Sequence, residues 1–110
     1  HADLAAWQQR YGVALDTAAL TVNVLDDFIG AGYAQASQEV FQTIGLAART
    51  EGLILDPVYT GKAFHGMLHE MRHGRFRDER DIVFLHTGGL FGLFAQREQA
   101  LAGGALSGAG

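Results

Sequence analysis

Apolar residues recur three and four positions apart in four separate stretches of the chain, which is the pattern of an amphipathic helix. The spacing predicts helices over Ala2–Tyr11, from Ser37 to Gly52, over about Gly61–His73, and over 90–101. Ser37 is predicted to be an N-cap, because its hydroxyl can accept a hydrogen bond from the first turn. The apolar stripe of that second helix is predicted to be core: Val40, Phe41, Ile44 and Ala47 or Ala48.

Three short apolar runs, 20–25, 53–55 and 81–86, separate these helices and predict β-strands. The resulting order, α-β-α-β-α-β-α, is typical of a parallel sheet with right-handed crossovers. We therefore expect an α/β fold, a three-layer α/β/α arrangement with a mainly parallel sheet. Three parallel strands leave long edges unpaired. Residues 1–110 are accordingly expected to be a single piece of a larger domain, with residues 103–110 as a flexible Gly/Ala-rich tail.

The composition narrows the classes of function. The chain has 110 residues, 48% of them hydrophobic, with a formal net charge of -4. This charge leaves no basic footprint for a phosphate backbone, so a nucleic-acid partner is not expected. There is no cysteine and no apolar run of membrane-spanning length. We expect a soluble, cytoplasmic protein with no membrane partner.

Candidate chemistry gathers in three loops that follow the predicted strands, DDFIGAGY, DPVYTGKA and HTGG. In open α/β sheets, ligands bind beyond the carboxyl ends of the strands. The alternative is ordinary turn chemistry, with Thr60 and Thr87 acting as helix caps. The hydroxyls and exposed backbone amides at this edge would come from Tyr33, Tyr59, Thr60, Thr87, Gly88 and Gly89.

The predicted helix at 61–73 carries two further candidates. His65, His69 and His73 are four residues apart, and the first two have the spacing of a zinc-binding pair. The HExxH glutamate is absent between them, which favours a solvated or interface face over a metal site. Lys62 is the one amine side chain, so it is a candidate Schiff-base lysine. An ordinary surface cation or salt-bridge partner is the equal alternative.

Two linked segments, GLILDPVYTGKAFHGMLHEMRHGRF and VFLHTGGLFGLFA, closely resemble the C-terminal part of the D-cysteine desulfhydrase and 1-aminocyclopropane-1-carboxylate deaminase family. The similarity runs from about Asp26 to Ala95. The resemblance implies a tryptophan synthase β-like fold, that of the fold type II enzymes dependent on pyridoxal 5'-phosphate. It also implies that residues 1–110 are a C-terminal fragment of the large cofactor-binding domain.

The resemblance assigns roles to particular residues. Tyr59 is similar to the family tyrosine on the substrate side of the cofactor ring, and Tyr33 to the second active-site tyrosine. Thr87 is similar to the hydroxyl residue that binds the pyridine nitrogen, with Gly88 lining the ring. Thr60 stands at a cofactor-binding position where the deaminase branch has a glutamate, so the desulfhydrase branch is the better match. Ala34 stands where the family usually has glycine.

The family's Schiff-base lysine and phosphate-binding loop have no counterpart in these residues, so both are expected outside this chain. The resemblance therefore implies the C-terminal portion of a lyase that converts D-cysteine into pyruvate, ammonia and sulfide. The fragment alone is expected to be inactive, and its partners to be a small amino-acid substrate, the rest of the parent polypeptide and a second copy in a homodimer. Alternatives are deaminase-like ring opening and a non-catalytic α/β interaction module. No metal is expected.

Overall fold

The computed structural model describes residues 2–14, 16–18 and 20–102 and contains five helices in this part of the chain. The helices are α1 (Ala2–Tyr11), α2 (Gln38–Glu51), α3 (Thr60–Arg72), α4 (Phe91–Ala95) and α5 (Arg97–Ala102). The predicted flexible tail, 103–110, lies outside the described residues. No helix of the described part is long and apolar enough to cross a membrane.

The first three predicted helices are confirmed to within about a residue at their ends. Ser37 caps α2 by accepting a hydrogen bond from the Val40 amide at 3.4 Å. Gly52 ends α2 in the left-handed conformation, with φ 65°, where a residue without Cβ is favoured. The predicted fourth helix is instead divided, because Gln96 leaves the helical region between α4 and α5.

The core forms around α2, which packs against α3 and α5. The predicted stripe on α2 is confirmed as the centre of this core. Its members Val40, Phe41, Ile44 and Ala47 are buried together with Leu55, Leu93 and Ala100. The short segment before α3 and the last two helices therefore close over one face of α2, which fixes where the loops at 56–60 and 86–92 meet.

None of the three predicted strands forms among the described residues, so the predicted parallel sheet is not seen there. The side chains that should pack against a neighbouring strand or a covering helix are exposed to solvent instead, Val24 to 81% and Val83 to 91%. Parallel ladders are stable when both faces and both neighbours are covered. These segments lack that cover in this chain, and the backbone there remains irregular.

The molecule also exposes more surface than its mass requires. Its accessible area is 8230 Å², whereas a compact monomer of 11.8 kDa has about 5,900 Å². Helix α1 contributes to the difference, since none of its residues is buried and Trp7 and Tyr11 stand open. Among the residues that the structure describes, the packed interior belongs to the unit built on α2, α3, α4 and α5, and the candidate site is part of it.

Candidate functional site

A buried carboxylate, Asp56, organises the turn that leads into α3. It is 1% exposed. Its Oδ1 accepts hydrogen bonds from the amides of Val58 and Tyr59 at 2.7 and 2.8 Å. Its Oδ2 accepts from the amide of Thr60 at 3.0 Å and from the Thr60 hydroxyl. The carboxylate thus satisfies the free N–H groups at the start of α3, as an N-terminal cap does.

These bonds also set the ionisation of Asp56. Burial alone would raise its pKa, because a carboxylate loses hydration in the interior. The hydrogen bonds from the Thr60 hydroxyl and from the amides of Thr60, Tyr59 and Val58 outweigh burial and hold the pKa below its ordinary value. Asp56 is therefore a charged structural centre at neutral pH.

The turn at 86–89 is held against the same centre. Gly89 has φ 95°, and a Cβ built on it would lie 2.7 Å from Oδ2 of Asp56, so glycine is required for this approach. His86 adds a second link: its Nδ1 accepts from the Gly88 amide at 3.0 Å, and its Nε2 donates to the Ile54 carbonyl at 2.9 Å. The loops DPVYTGKA and HTGG are thus brought together, as the sequence predicts.

Tyr33 and Tyr59 form an exposed pair beside these loops. Their ring centroids are 6.0 Å apart in an edge-to-face arrangement. They are 77% and 61% exposed. A side-chain hydrogen bond with Tyr33 raises the pKa of the Tyr59 phenol, and the negative charge of a neighbouring phenolate acts in the same direction. Tyr59 consequently keeps its proton at neutral pH and acts as a hydrogen-bond donor.

Lys62 holds the loop that carries Tyr33. Its Nζ donates to the carbonyl oxygens of Ile29 and Gly32 at 2.7 and 2.8 Å. The side chain is 8% exposed, so the interpretation as a surface cation or salt-bridge partner is wrong. The ammonium is committed to backbone carbonyls, which also argues against a Schiff-base role in this chain.

The two tyrosines and Lys62 line one open cleft of about 500 Å³. The cleft lies between the loop at 25–33 and the start of α3. Its walls are mostly apolar, and none of its lining residues carries a carboxylate. The remaining lining residues are Leu25, Phe28, Ile29, Gly32, Val58 and Ala63.

The two predicted hydroxyl residues differ in placement. Thr60 is 3% exposed, and its hydroxyl donates to Asp56 and accepts the Asp56 amide at 2.9 Å. This geometry matches the turn-chemistry alternative, and a cofactor contact of Thr60 stays a prediction. Thr87 is exposed and does not cap α4, whose N-cap is Leu90.

The histidines of α3 take part in packing. Nδ1 of His65 lies 2.9 Å from the Thr43 hydroxyl of α2. The rings of His69 and His73 stack with their centroids 4.1 Å apart. The centroid of the Phe28 ring lies 5.2 Å from that of the His69 ring. Among the described residues no group of three His, Cys, Asp or Glu side chains is arranged to hold a metal ion.

Comparison with known proteins identifies the family. The model of the family described as pyridoxal-phosphate dependent enzyme matches residues 5–88. The chain belongs to this family. The matched range contains all five predicted site residues.

Two curated relatives are similar over most of the chain. A putative 1-aminocyclopropane-1-carboxylate deaminase of Thermotoga maritima is 44% identical over 88 residues, 80% of this chain and 26% of the relative. A D-cysteine desulfhydrase of Yersinia enterocolitica is 45% identical over 78 residues, 71% of this chain and 24% of the relative. The chain thus spans about a quarter of the length of these relatives. No solved structure showed significant similarity.

The residues around Thr87 fit the ring of pyridoxal phosphate, the cofactor of this family. The ring is flat, and its nitrogen takes a hydrogen-bonding partner from the protein. Thr87 offers an exposed neutral hydroxyl, and Gly88 has no atom within 4 Å of the place where a Cβ would stand, so a flat group can approach the backbone. The neighbouring carboxylate of Asp56 is occupied by the turn and does not compete with Thr87 for the ring nitrogen.

Two residues of the site escaped sequence reasoning. Asp56 was placed in the loop DPVYTGKA and given no role, although an Asp that accepts hydrogen bonds from backbone amides two or more residues ahead is a common turn-forming pattern. For Lys62 the sequence predicted a Schiff-base lysine or an ordinary surface cation or salt-bridge partner, and its contact with the loop of Tyr33 was not predicted. Its contacts lie 30 and 33 residues away along the chain, and no local pattern reports contacts of that kind.

Proposed function

We propose that this chain is the C-terminal part of an enzyme that breaks down D-cysteine into pyruvate, ammonia and sulfide. The observation that carries the proposal is the pair Tyr33 and Tyr59, which lie edge to face and line an apolar cleft. When bound, pyridoxal phosphate supplies the electron sink that makes the proton on the amino-acid Cα acidic. The family match and the similarity to a D-cysteine desulfhydrase support this assignment.

Thr87 and Gly88 are proposed to hold the cofactor ring, with Thr87 at the ring nitrogen. A hydroxyl, unlike a carboxylate, does not hold that nitrogen protonated. The ring is then a weaker electron sink, which favours loss of a β-leaving group over prolonged stabilisation of negative charge on Cα. The carboxylate of Asp56 contributes only by holding the turn, because the turn occupies both of its oxygens.

Tyr33 and Tyr59 are proposed to bind and orient the substrate in the cleft. Because the pKa of Tyr59 is raised and the phenol keeps its proton, Tyr59 donates a hydrogen bond rather than abstracting a proton. Such donors suit a substrate carboxylate or a departing hydrosulfide, both of which carry negative charge. Leu25, Ile29 and Val58 line the cleft beside these donors and present apolar surface to the substrate.

The test uses the whole protein that contains this chain, loaded with cofactor. We expect D-cysteine to yield sulfide and pyruvate in equal amounts. Tyr33→Phe and Tyr59→Phe should each lower kcat/KM by about 10²-fold or more, because each removes a positioned proton donor. Tyr11→Phe, on the exposed face of α1, should leave the rate unchanged. Equal rates for all three variants would contradict the assignment.

The alternative substrate is 1-aminocyclopropane-1-carboxylate, which the name of the Thermotoga maritima relative suggests. Ring opening needs proton delivery to a carbon atom, and the position after Tyr59 carries Thr60, whose hydroxyl is bound to Asp56. No carboxylate lines the cleft to supply that proton. Production of 2-oxobutanoate and ammonia at a rate comparable with sulfide release would favour the deaminase assignment instead.

A further inference from the structure

We propose that Lys62 is a positioning residue for Tyr33, and that the tyrosine pair forms only while the Lys62 ammonium is bound to the two loop carbonyls. The proposal rests on the function above for its consequence, since it makes Lys62 a requirement for substrate orientation. The contact itself is tested below by a measurement that does not depend on turnover.

The loop before α2 needs an external tie because it is rich in glycine, which is conformationally free, and because it holds Ala34 in a strained conformation. Gly30, Gly32 and Ala34 all have positive φ, at 76°, 149° and 55°. A non-glycine residue in the left-handed region costs about 1–2 kcal/mol. Within the loop, the backbone support consists of the hydrogen bond from the Ile29 amide to the Asp26 carbonyl at 3.3 Å and the isolated bridge of Gly32 to Gln35. The path that aims Tyr33 at Tyr59 is therefore not stable by local bonding alone.

Lys62 supplies that tie from a rigid element. It lies in the first turn of α3, three residues after Tyr59, so one short segment fixes both members of the pair. Its bonds to the Ile29 and Gly32 carbonyls bracket the glycine-rich bend immediately before Tyr33. Hydrogen bonds from an ionised donor are about twice as strong as neutral ones. Without the ammonium, the Ile29 carbonyl would lose this partner, the Gly32 carbonyl would keep only the Gln35 amide, and the bend would be free to relax.

Phe28 is the apolar anchor of the same loop, and it does not set the direction of Tyr33. Phe28 packs over Gly66, where a Cβ would approach its ring to 2.8 Å. This contact holds the loop to α3 five residues before Tyr33. The bend at Gly30 and Gly32 separates the two, so the direction of Tyr33 depends on the Lys62 bonds.

The direct test is the titration of Tyr59, followed by NMR in protein labelled with ¹³C at the tyrosine ring and assigned with Tyr59→Phe. In the native protein Tyr59 should titrate above its ordinary pKa of 10.0, because Tyr33 is hydrogen-bonded to it. Lys62→Met keeps the aliphatic stem in the cleft and removes the ammonium. It should lower the Tyr59 midpoint as far as Tyr33→Phe does. Lys62→Arg, which keeps the charge, should restore at least part of the shift.

Arg72→Met is the matched control, since it removes one positive charge from an exposed position on the same helix. It should leave the Tyr59 midpoint in place. Ring-to-ring NOEs between Tyr33 and Tyr59 at neutral pH give a second measurement, which is independent of alkaline unfolding. A Lys62→Met protein that keeps these NOEs and the native Tyr59 midpoint overturns the proposal, as does a Tyr33→Phe variant without effect on Tyr59.

Activity of the whole enzyme gives a third measurement that separates positioning from folding. Lys62→Met should lower kcat/KM by up to about 10²-fold, the penalty for a displaced catalytic group. The double variant with Tyr33→Phe should lose no more than Tyr33→Phe alone. Additive losses would contradict the coupling. If the enzyme shows no turnover at all while the Tyr59 titration responds to Lys62→Met, the proposed function fails and the positioning role stands.

Discussion

Replacing Asp56 by asparagine should destabilise the protein strongly, because this carboxylate joins the two loops of the site. Asparagine keeps one acceptor oxygen, which can still serve the amides of Val58 and Tyr59. Its amide nitrogen takes the place of Oδ2 and then faces the Thr60 amide, which is also a donor. One buried N–H is therefore left without a partner, and the two surviving bonds lose the assistance of the charge.

The magnitude follows from these bonds. An unsatisfied buried donor costs about 1–3 kcal/mol, and weakening of the two neutralised bonds raises the total to roughly 2–4 kcal/mol. Proteins of this size unfold with about 5–15 kcal/mol, so the loss is a large fraction of the total. The urea midpoint should fall by about 1–2 M, given the usual dependence on denaturant.

The assay is urea unfolding followed by circular dichroism, with Asp78→Asn as the control. Asp78 is exposed, and its replacement should change the stability by less than about 0.5 kcal/mol. The pH dependence provides an independent check. The pKa of Asp56 is lower in the folded state, so its contribution is present above the unfolded value of about 3.8 and is lost as the pH falls through the folded value. Asp56→Asn should flatten that acid limb. Identical midpoints and acid limbs for the two variants would refute the reasoning.

Three further predictions concern single positions. Gly89→Ala should be more destabilising than Gly88→Ala by thermal unfolding, since both have φ 95° but only the Gly89 Cβ meets a carboxylate oxygen, at 2.7 Å; equal costs would contradict this contact. Ala34→Gly should stabilise the protein by up to about 1 kcal/mol, because φ 55° is strained for alanine, and a loss of stability would show that the loop follows another path. Burial lowers the pKa of His65, so stability should decline as the pH falls below about 6.5, and His65→Gln should remove that decline in pH-dependent urea midpoints. An unchanged pH dependence in His65→Gln would exclude His65 as its source.

Local sequence patterns predicted the helices well because their determinants are local. Ser37 and Gly52 mark the two ends of α2 by capping, and the four-residue spacing of Val40, Ile44 and their neighbours selects the buried face. The fourth helix was predicted as one element. The packing of Leu93 and Ala100 into the core from two short helices required a break at Gln96 that periodicity does not show.

The predicted strands, unlike the helices, did not form among the described residues. Residues such as Val22, Val24 and Val83 have strong β-propensity, yet they are 69%, 81% and 91% exposed and form no ladder in the described residues. β-propensity measures how well a side chain fits a covered, pleated surface, so it is expressed only where that surface exists. The pattern predicts that these segments form strands where neighbouring strands are present. The described residues contain no such neighbouring strand.

For the site, the sequence predicted the residues that face outward better than those that hold them. Tyr33 and Tyr59 were predicted as a pair from the family resemblance, and the structure brings their rings to 6.0 Å. Their supports were missed: Asp56 was given no role, and Lys62 was predicted as a Schiff-base lysine or a surface cation rather than as a donor to the loop carbonyls. Their importance depends on burial, and burial is set by the tertiary packing of α2, α3 and the loops.

Asp56 and Lys62 stand six residues apart, on either side of Tyr59, and solve the same physical problem with opposite charges. The anion accepts hydrogen bonds from the N–H groups at the start of α3, while the cation donates to two carbonyls of the loop before α2. Each charge is neutralised by backbone dipoles rather than by the other, so neither needs a salt bridge to remain buried. The cleft is thereby left with neutral donors at its mouth and no free charge in its lining. The side chains of Leu25, Ile29 and Val58, which line the cleft, offer no ionic partner to a charged group.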